Sequence, residues 1–223
     1  HLHLGLWLGA MLCRAPLVGR WWKNARLPLT AVVLVAGIAW IGSNKLLAGA
    51  AWPNAVWLLP LIAILTIGIG APGRPRQSPD DVFAGQLGVL MSAIAGAVVA
   101  LIGGFVGLGQ LMGALAAALG GMLIIDYAAL LLGKQQWLSD RSETTNWLLG
   151  AVLSAILLIP ACFAPSPDPI ALYLVALTLL APRLVPALSG LKAILKPFVF
   201  GAAAALPAFA AVGVAYWNSL PHP

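Results

Sequence analysis

Residues 82–133 form the stretch of this chain that most constrains its fold, because they contain no lysine, arginine or glutamate. A helix needs about 20–25 apolar residues to cross a bilayer, so these roughly 50 residues match two crossings in length. Glycines at 103, 104, 107 and 109 predict a break between the two halves. The stretch therefore predicts two antiparallel membrane-spanning helices joined near residues 103–109.

Small residues recur at every fourth position in both halves of this stretch. Residues four apart lie on the same side of a helix, and lipid tails are as apolar as leucine, so close packing rather than hydrophobicity must hold such helices together. The pattern predicts that the two helices pair along their small faces, with Gly96 and Gly113 nearest each other. The two series are Gly88, Ser92, Gly96, Ala100 and Gly104, and then Gly109, Gly113, Ala117 and Gly121.

The composition of the whole chain supports the same class. Of its 223 residues, 61% are hydrophobic and only 8% are charged, and the mean hydropathy is +0.98. Soluble domains carry about 25% charged residues, so a soluble fold is excluded. We predict an all-α, polytopic transmembrane helical bundle that forms a single membrane domain over residues 1–223.

Seven membrane spans are predicted within residues 27–217. Residues 1–26 are expected to form an interfacial or partial helix, and residues 218–223 a tail. The segment between the first two spans contains Lys45 and is apolar enough to dip back into the bilayer, provided that protein or water covers its backbone. The predicted spans are 27–42, 55–71, the two halves of 82–133, 147–164, 170–181 and 197–217.

The positions of the lysines and arginines predict the orientation. With seven spans, eleven of the twelve basic residues fall on one side, and only Lys45 falls on the other. Lysine and arginine are enriched in cytoplasmic loops, so the inner loops are 72–81, 134–146 and 182–196, and the C-terminus lies outside an inner membrane. The net charge of +6 could suggest a protein that binds nucleic acid. The basic residues instead form short clusters between apolar runs, as is typical of cytoplasmic loops, so no nucleic-acid partner is predicted.

Asp126 is the most costly residue of the hydrophobic stretch. An acid at that depth costs a few kcal/mol unless it is protonated, paired or facing water. One interpretation is a proton, cation or ligand-headgroup site, and the other is a hydrogen bond that only fixes helix packing. Tyr127, Gln110 and Lys45 complete this candidate intramembrane polar site.

No motif in the chain identifies a reaction or a catalytic residue. The cysteines, Cys13 and Cys162, are far apart, and the three histidines lie at the chain ends, so no metal site is predicted. Cofactors are not evident. A second candidate group consists of charged residues in the predicted inner loops, which we interpret either as solvated loop charges or as a substitute acidic pair: Arg74, Asp80, Asp81, Asp140 and Glu143.

Residues 71–79, Ala-Pro-Gly-Arg-Pro-Arg-Gln-Ser-Pro, resemble the Arg-Pro-x-x-Ser-Gly turn of the UbiA-like membrane prenyltransferases. Residues 176–183 are also similar to a segment of some members. The resemblance covers about twenty residues. It implies a helical membrane fold and an enzyme that transfers prenyl groups with the help of Mg²⁺ held by aspartates. Pro79 stands where the family usually has glycine, and residues 66–70 contain no acid where the family has its Asp-rich motif.

Three functional classes follow from these observations. The first is a non-catalytic membrane subunit, or a scaffold that binds a lipid or isoprenoid, with the bilayer and other membrane subunits as partners. The second is a divergent UbiA-like prenyltransferase that uses Mg²⁺. The third is a small ion-coupled transporter that uses Asp126.

Overall fold

The computed structural model describes residues 28, 30–32, 34–36, 57–70, 79–133, 136–163, 168–181 and 194–220, and every regular element in them is helical. Six helices are complete, and residues 28, 30–32 and 34–36 are helical as well. The prediction of an all-α chain is confirmed for these residues. The six helices are α1 (Leu58–Gly70), α2 (Pro79–Ile102), α3 (Val106–Leu131), α4 (Gln136–Phe163), α5 (Pro169–Leu177) and α6 (Lys196–Ser219).

Helix α2 lies at the centre of the bundle. It packs most extensively against α6 and α3, and it also contacts α4 and α5. In the apolar part of α2, 56% of the residues are buried, whereas the shares in α3 and α6 are only 17% and 28%. The three helices are equally hydrophobic, but α3 and α6 leave large side chains such as Ile124 and Phe209 exposed.

The predicted break in the hydrophobic stretch is confirmed as a tight turn at residues 103–105. Gly104 adopts a φ of 81°, which glycine reaches without steric cost. The Phe105 N–H donates to the Ala100 carbonyl at 2.8 Å, and the Gly104 N–H donates to the Leu101 carbonyl at 3.1 Å. These two bonds form a Schellman motif that ends α2 and starts the return of the chain.

Helices α2 and α3 form the predicted antiparallel hairpin, and glycines permit the close contact. A Cβ on Gly96 would lie 2.7 Å from the Met112 sulfur, and a Cβ on Gly109 would lie 2.7 Å from Leu101 Cγ. The buried residues of α3 are spaced three and four apart, which is the pattern of a helix that packs along one narrow seam. They are Gly109, Met112, Ala116, Leu119 and Leu123.

The predicted pairing of small faces is wrong in detail. Gly113 has no atom within 4 Å of where its Cβ would be, although it was expected at the closest approach. Gly88 instead abuts the backbone of Leu179, and the buried Ser92 hydroxyl donates to the Val175 carbonyl at 2.9 Å. A small face lets any neighbouring backbone approach, and the part of the α2 face around Gly88 and Ser92 is covered by the end of α5 rather than by α3.

The prediction of seven spans is not borne out. Three described helices have the length and hydropathy of a membrane span: Phe83–Ile102, Val106–Leu131 and Lys196–Ser219. The predicted span 170–181 is wrong because α5 has only 9 residues and is followed by turns at 178–180. The apolar parts of α1 and α4, Leu58–Ile69 and Leu148–Cys162, are shorter than a full crossing. The predicted first span, 27–42, and residues 1–26 lie largely outside the described residues.

Two predicted inner loops are shorter than expected. The prediction of a loop over residues 134–146 is wrong from Gln136 onward, because α4 begins there and runs without interruption into its apolar half. Its residues, such as glutamine, leucine, glutamate and arginine, are good helix formers. The turn predicted up to residue 81 gives way to α2 at Pro79, since proline suits the first position of a helix and Asp80 and Asp81 favour the first turn.

Candidate functional site

A hydrogen bond between Gln86 and Asp126 joins α2 to α3. The Gln86 amide Nε2 donates to Asp126 Oδ2 at 2.9 Å. Gln86 is only 3% exposed, and Asp126 is half-buried. The acceptor is a carboxyl group, so this bond belongs to the stronger, charge-assisted class when Asp126 is ionised.

The hairpin brings these two residues together. Asp126 lies three residues after Leu123 and so continues the three-and-four seam that α3 presents to α2. Gln86 precedes Asp126 by 40 residues, and the turn at 103–105 falls near the midpoint between them. An antiparallel hairpin places residues at similar distances from its turn at a similar height, so the turn brings Gln86 and Asp126 to the same level of α2 and α3.

The second polar atom of the Gln86 amide has no partner among the described residues. Gln86 Oε1 is buried and makes no hydrogen bond there. A buried acceptor left without a donor costs about 1–3 kcal/mol. The hydroxyls of Thr66 and Ser154 are also buried without a partner among the described residues, but these two residues lie on α1 and α4 and not on the hairpin.

An apolar groove lies between α2, α3 and α6, and we call it the α2–α3–α6 groove; its lining includes Leu87 and Tyr127 but neither Gln86 nor Asp126. Its volume is about 620 Å³, within the range of about 300–1,000 Å³ typical of small-molecule sites. Ile124 and Phe198, which are 72% and 63% exposed, belong to its lining, so it opens sideways from the bundle. Its lining includes Phe83, Leu87, Leu123, Tyr127, Phe198 and Gly201.

An aromatic contact crosses the groove near its Asp126 end. The rings of Tyr127 and Phe198 meet edge to face, with centroids 6.0 Å apart and an angle of 86°. This geometry is a favourable one for two aromatic rings. It links the last turns of α3 to the start of α6, and both rings belong to the groove lining.

The chemistry of this site is that of an acceptor pair in an apolar setting. An ionised carboxylate only accepts hydrogen bonds, and the Gln86 oxygen also accepts. Dispersion contacts with the groove lining would hold a hydrocarbon chain. The groove is therefore suited to a hydrocarbon chain, whereas the Gln86–Asp126 pair lies outside its lining.

The other candidate residues are dispersed. Gln110 is exposed on α3 near the opposite end of the helix, about 24 Å along the axis from Asp126. Asp80 and Asp81 fall in the first turn of α2, and Asp140 and Glu143 fall in the second and third turns of α4. Lys45 and Arg74 lie outside the described residues. Of the predicted intramembrane site, Asp126 and Tyr127 are consecutive on α3 and have different partners: Asp126 accepts from Gln86, and Tyr127 contacts Phe198.

Gln86 is the site residue that the sequence analysis missed. A polar amide among apolar helical residues was a signal in itself, because such side chains hydrogen-bond between membrane helices. The second signal was its distance from the predicted break, which is similar to that of Asp126. The two signals together would have identified the pair.

A second cavity of about 390 Å³ lies at the opposite end of the bundle, beside the turn at 103–105. Asp168, which lines it, caps α5: its Oδ1 accepts from the N–H groups of Ile170 and Ala171, both at 3.1 Å. Its Oδ2 accepts from Asn218 Nδ2 at 2.7 Å, which ties α6 to α5. Helix capping accounts for this carboxylate, so the groove is the stronger candidate site.

Three helices of the described residues are long and apolar enough to cross a membrane, and together with their exposed aliphatic side chains they indicate a multi-pass membrane protein. Comparison of the chain with protein-family models, curated proteins and solved structures gives no match. The resemblance of residues 71–79 to the UbiA-like prenyltransferases stays a prediction, as do the roles of Asp80, Asp81, Asp140 and Glu143 in binding Mg²⁺.

Proposed function

We propose that this protein is a lipid-binding scaffold of an inner membrane, without catalytic activity of its own, that holds a hydrocarbon chain in the α2–α3–α6 groove. The groove itself carries the proposal: it is apolar, about 620 Å³ in volume, and open towards the side of the bundle. Helices α3 and α6 form its walls, and both are mostly exposed to the surroundings of the bundle. A chain could therefore enter from the bilayer without crossing water.

The test is to fill the groove and measure the loss of binding. A Cβ on Gly201 would lie 3.9 Å from Leu87 Cδ2, so the side chain of Gly201→Leu projects into the groove. Losing about ten atomic contacts of 0.1–0.2 kcal/mol each corresponds to roughly a tenfold weaker affinity. We expect photolabelling of α2, α3 and α6 by a diazirine-bearing alkyl chain, in phosphatidylcholine vesicles, to fall by about that factor.

Gly213→Leu is the matched control. Gly213 lies on the same helix, is exposed and has no atom within 4 Å of its Cβ position, so labelling should match that of the unaltered protein. Equal labelling of the Gly201→Leu and Gly213→Leu proteins would show that the groove is not the site. Labelling spread evenly over all helices would also place chain binding outside the groove.

The proposed orientation places the Asp126 end of the bundle at the cytoplasmic surface. Arg74 and Arg76 precede α2, Lys134 follows α3, and Lys196 begins α6, so four basic residues are close in sequence to this end. The C-terminus then lies outside, since α6 ends beside Asp168 at the far end.

This orientation predicts the labelling of single cysteines in a protein whose Cys13 and Cys162 are replaced by alanine. In intact cells, a membrane-impermeant maleimide should react at Ser219→Cys, which is exposed at the end of α6. It should react at Ser142→Cys only after the membrane is permeabilised. The reverse pattern would invert the topology, and reaction at both positions in intact cells would rule out a single orientation.

A further inference from the structure

We infer that the cavity beside the turn at 103–105, which we call the turn-end cavity, binds a primary ammonium group attached to a small apolar body. The cavity shares no lining residue with the α2–α3–α6 groove, so this site is separate from the one proposed above. Its volume of about 390 Å³ falls within the range of about 300–1,000 Å³ typical of small-molecule sites. The polar groups of its lining indicate which kind of ligand it accepts.

The turn-end cavity combines a sheltered apolar part with an accessible polar part. Leu157, Leu172 and Ala215 line it from α4, α5 and α6, and they are only 1%, 4% and 6% exposed. Asn218 and Ser219, at the end of α6, also line the cavity and are exposed. A ligand can therefore reach the polar groups from outside the bundle and place its apolar body against the buried side chains.

Hydrogen-bond acceptors predominate among the polar groups of this lining. The Asp168 carboxylate accepts three hydrogen bonds, one of them from Asn218, and a carboxylate has about four lone-pair sites. Ser219 donates its only hydroxyl proton to the Tyr216 carbonyl at 2.7 Å, which leaves its lone pairs available. Pro160, also in the lining, has no N–H, so the carbonyl four residues before it lacks its usual helical donor.

Asp168 also gives this lining a negative charge that no lysine or arginine of the lining segments balances. The lining residues fall within residues 82–133, 142–182 and 197–223, and these segments contain neither lysine nor arginine. Helix capping fixes the position of Asp168, but a helix N-terminus offsets only about half of one charge. A cation in the cavity would compensate the rest, and charges attract more strongly where apolar side chains exclude water.

A primary ammonium group meets both requirements, because it carries a positive charge and three hydrogen-bond donors. An anion would be repelled by Asp168, and a neutral alcohol offers a single donor without charge. A quaternary ammonium group has the charge but no N–H. The same chemistry is present in free amines and in the headgroup of phosphatidylethanolamine.

The experiment compares para-fluorobenzylammonium with para-fluorobenzyl alcohol, which differ only in their polar group. Binding is measured by fluorine NMR with the protein in phosphatidylcholine nanodiscs, and empty nanodiscs correct for partitioning into lipid. We expect the ammonium to bind about tenfold more tightly than the alcohol, as one hydrogen bond between charged groups allows.

Asp168→Asn removes the charge and should keep the fold. Asparagine caps a helix about as well as aspartate, and Asn218 can turn its amide so that its oxygen accepts from the new amide group. The preference for the ammonium should fall to about twofold or less. Asp140→Asn is the matched control: it makes the same change near the start of α4, about 30 Å along the helix from Pro160, and should preserve the full preference.

Ser219→Asp tests the charge in the opposite direction and covers the case that Asp168→Asn does not fold. It adds a second carboxylate to the exposed part of the lining. The preference for the ammonium should rise about two- to threefold, as an exposed charge pair allows. An unchanged or smaller preference would count against a cation site.

Phosphatidylethanolamine in the nanodiscs distinguishes the two sources of the ammonium group. If the natural ligand is this headgroup, replacing part of the phosphatidylcholine should weaken binding of the ammonium probe. If it is a free amine, binding of the probe should not change.

Equal binding of the ammonium and the alcohol would overturn the inference, and so would a full preference in Asp168→Asn. Loss of the preference in Asp140→Asn would also overturn it, because the preference would then follow the total charge of the protein rather than the cavity. None of these outcomes depends on whether the α2–α3–α6 groove binds a hydrocarbon chain.

Discussion

Gly88→Leu should lower the free energy of unfolding by about 3 kcal/mol or more, because the new side chain would meet backbone on α5's C-terminal side. A Cβ on Gly88 would lie 3.2 Å from the Leu179 carbonyl oxygen and 3.3 Å from Leu179 Cα. It would also lie 3.3 Å from the Thr178 carbonyl oxygen. Backbone atoms cannot rotate away as a side chain can, so α2 and the segment after α5 would have to separate.

The measurement is thermal unfolding of the purified protein in detergent, with Gly113→Leu as the matched control. Gly113 lies on α3 with open space at its Cβ position, so its replacement should change the free energy of unfolding by no more than about 0.5 kcal/mol. Similar melting temperatures for both variants would show that α2 does not meet the Thr178–Leu179 backbone. Severe destabilisation by Gly113→Leu would instead restore the predicted pairing of small faces.

The second large effect is the coupling between Gln86 and Asp126. Replacing either residue by leucine leaves its partner unpaired at the helix interface, and each single change should cost about 1–3 kcal/mol. Replacing both removes the two polar groups together, so the double variant should be more stable than the sum of the single effects implies. We expect a coupling energy of about 1–2 kcal/mol from the double-mutant cycle.

The size of this coupling energy also indicates whether the acceptor in the pair is charged. Side-chain hydrogen bonds between membrane helices couple by about 0.6 kcal/mol on average, whereas bonds to charged groups contribute about 1.5–3 kcal/mol. Additive effects would mean that the two side chains do not interact in the folded protein. Gln110→Leu, at an exposed position on α3, serves as the control and should leave the melting temperature nearly unchanged.

Local chemistry made the hairpin predictable. The glycines at 103 and 104 predicted the break, and the structure places the positive φ at Gly104. Absence of lysine, arginine and glutamate over residues 82–133 predicted the two long helices on either side, and both meet the length and hydropathy of a span. These features depend only on backbone sterics and on hydrophobicity, which are properties of neighbouring residues.

The choice of partner for each helix face could not be predicted in the same way. Gly88, Gly96 and Gly109 all permit another helix to approach closely. The sequence around these glycines does not indicate whether α3, α4 or α5 will pack against them. Met112 and Leu157 both reach Gly96, while Leu179 takes the position beside Gly88. Hydropathy also overestimated the span count, because α1 and α5 are short helices in which apolar residues such as Leu61 and Val175 are buried against other helices.

The central place of α2 has a consequence for how the chain is made. Its contacts with α3 are local in sequence and can form as soon as residue 131 has been synthesised, whereas its contacts with α6 wait for residues 196–219. At about 5–20 residues per second, this wait lasts on the order of 10 s. During that time the face of α2 that carries Phe83 and Leu87 has no α6 beside it. The groove therefore forms only after α6 has been synthesised, and until then the hairpin of α2 and α3 must persist without the third helix of the groove.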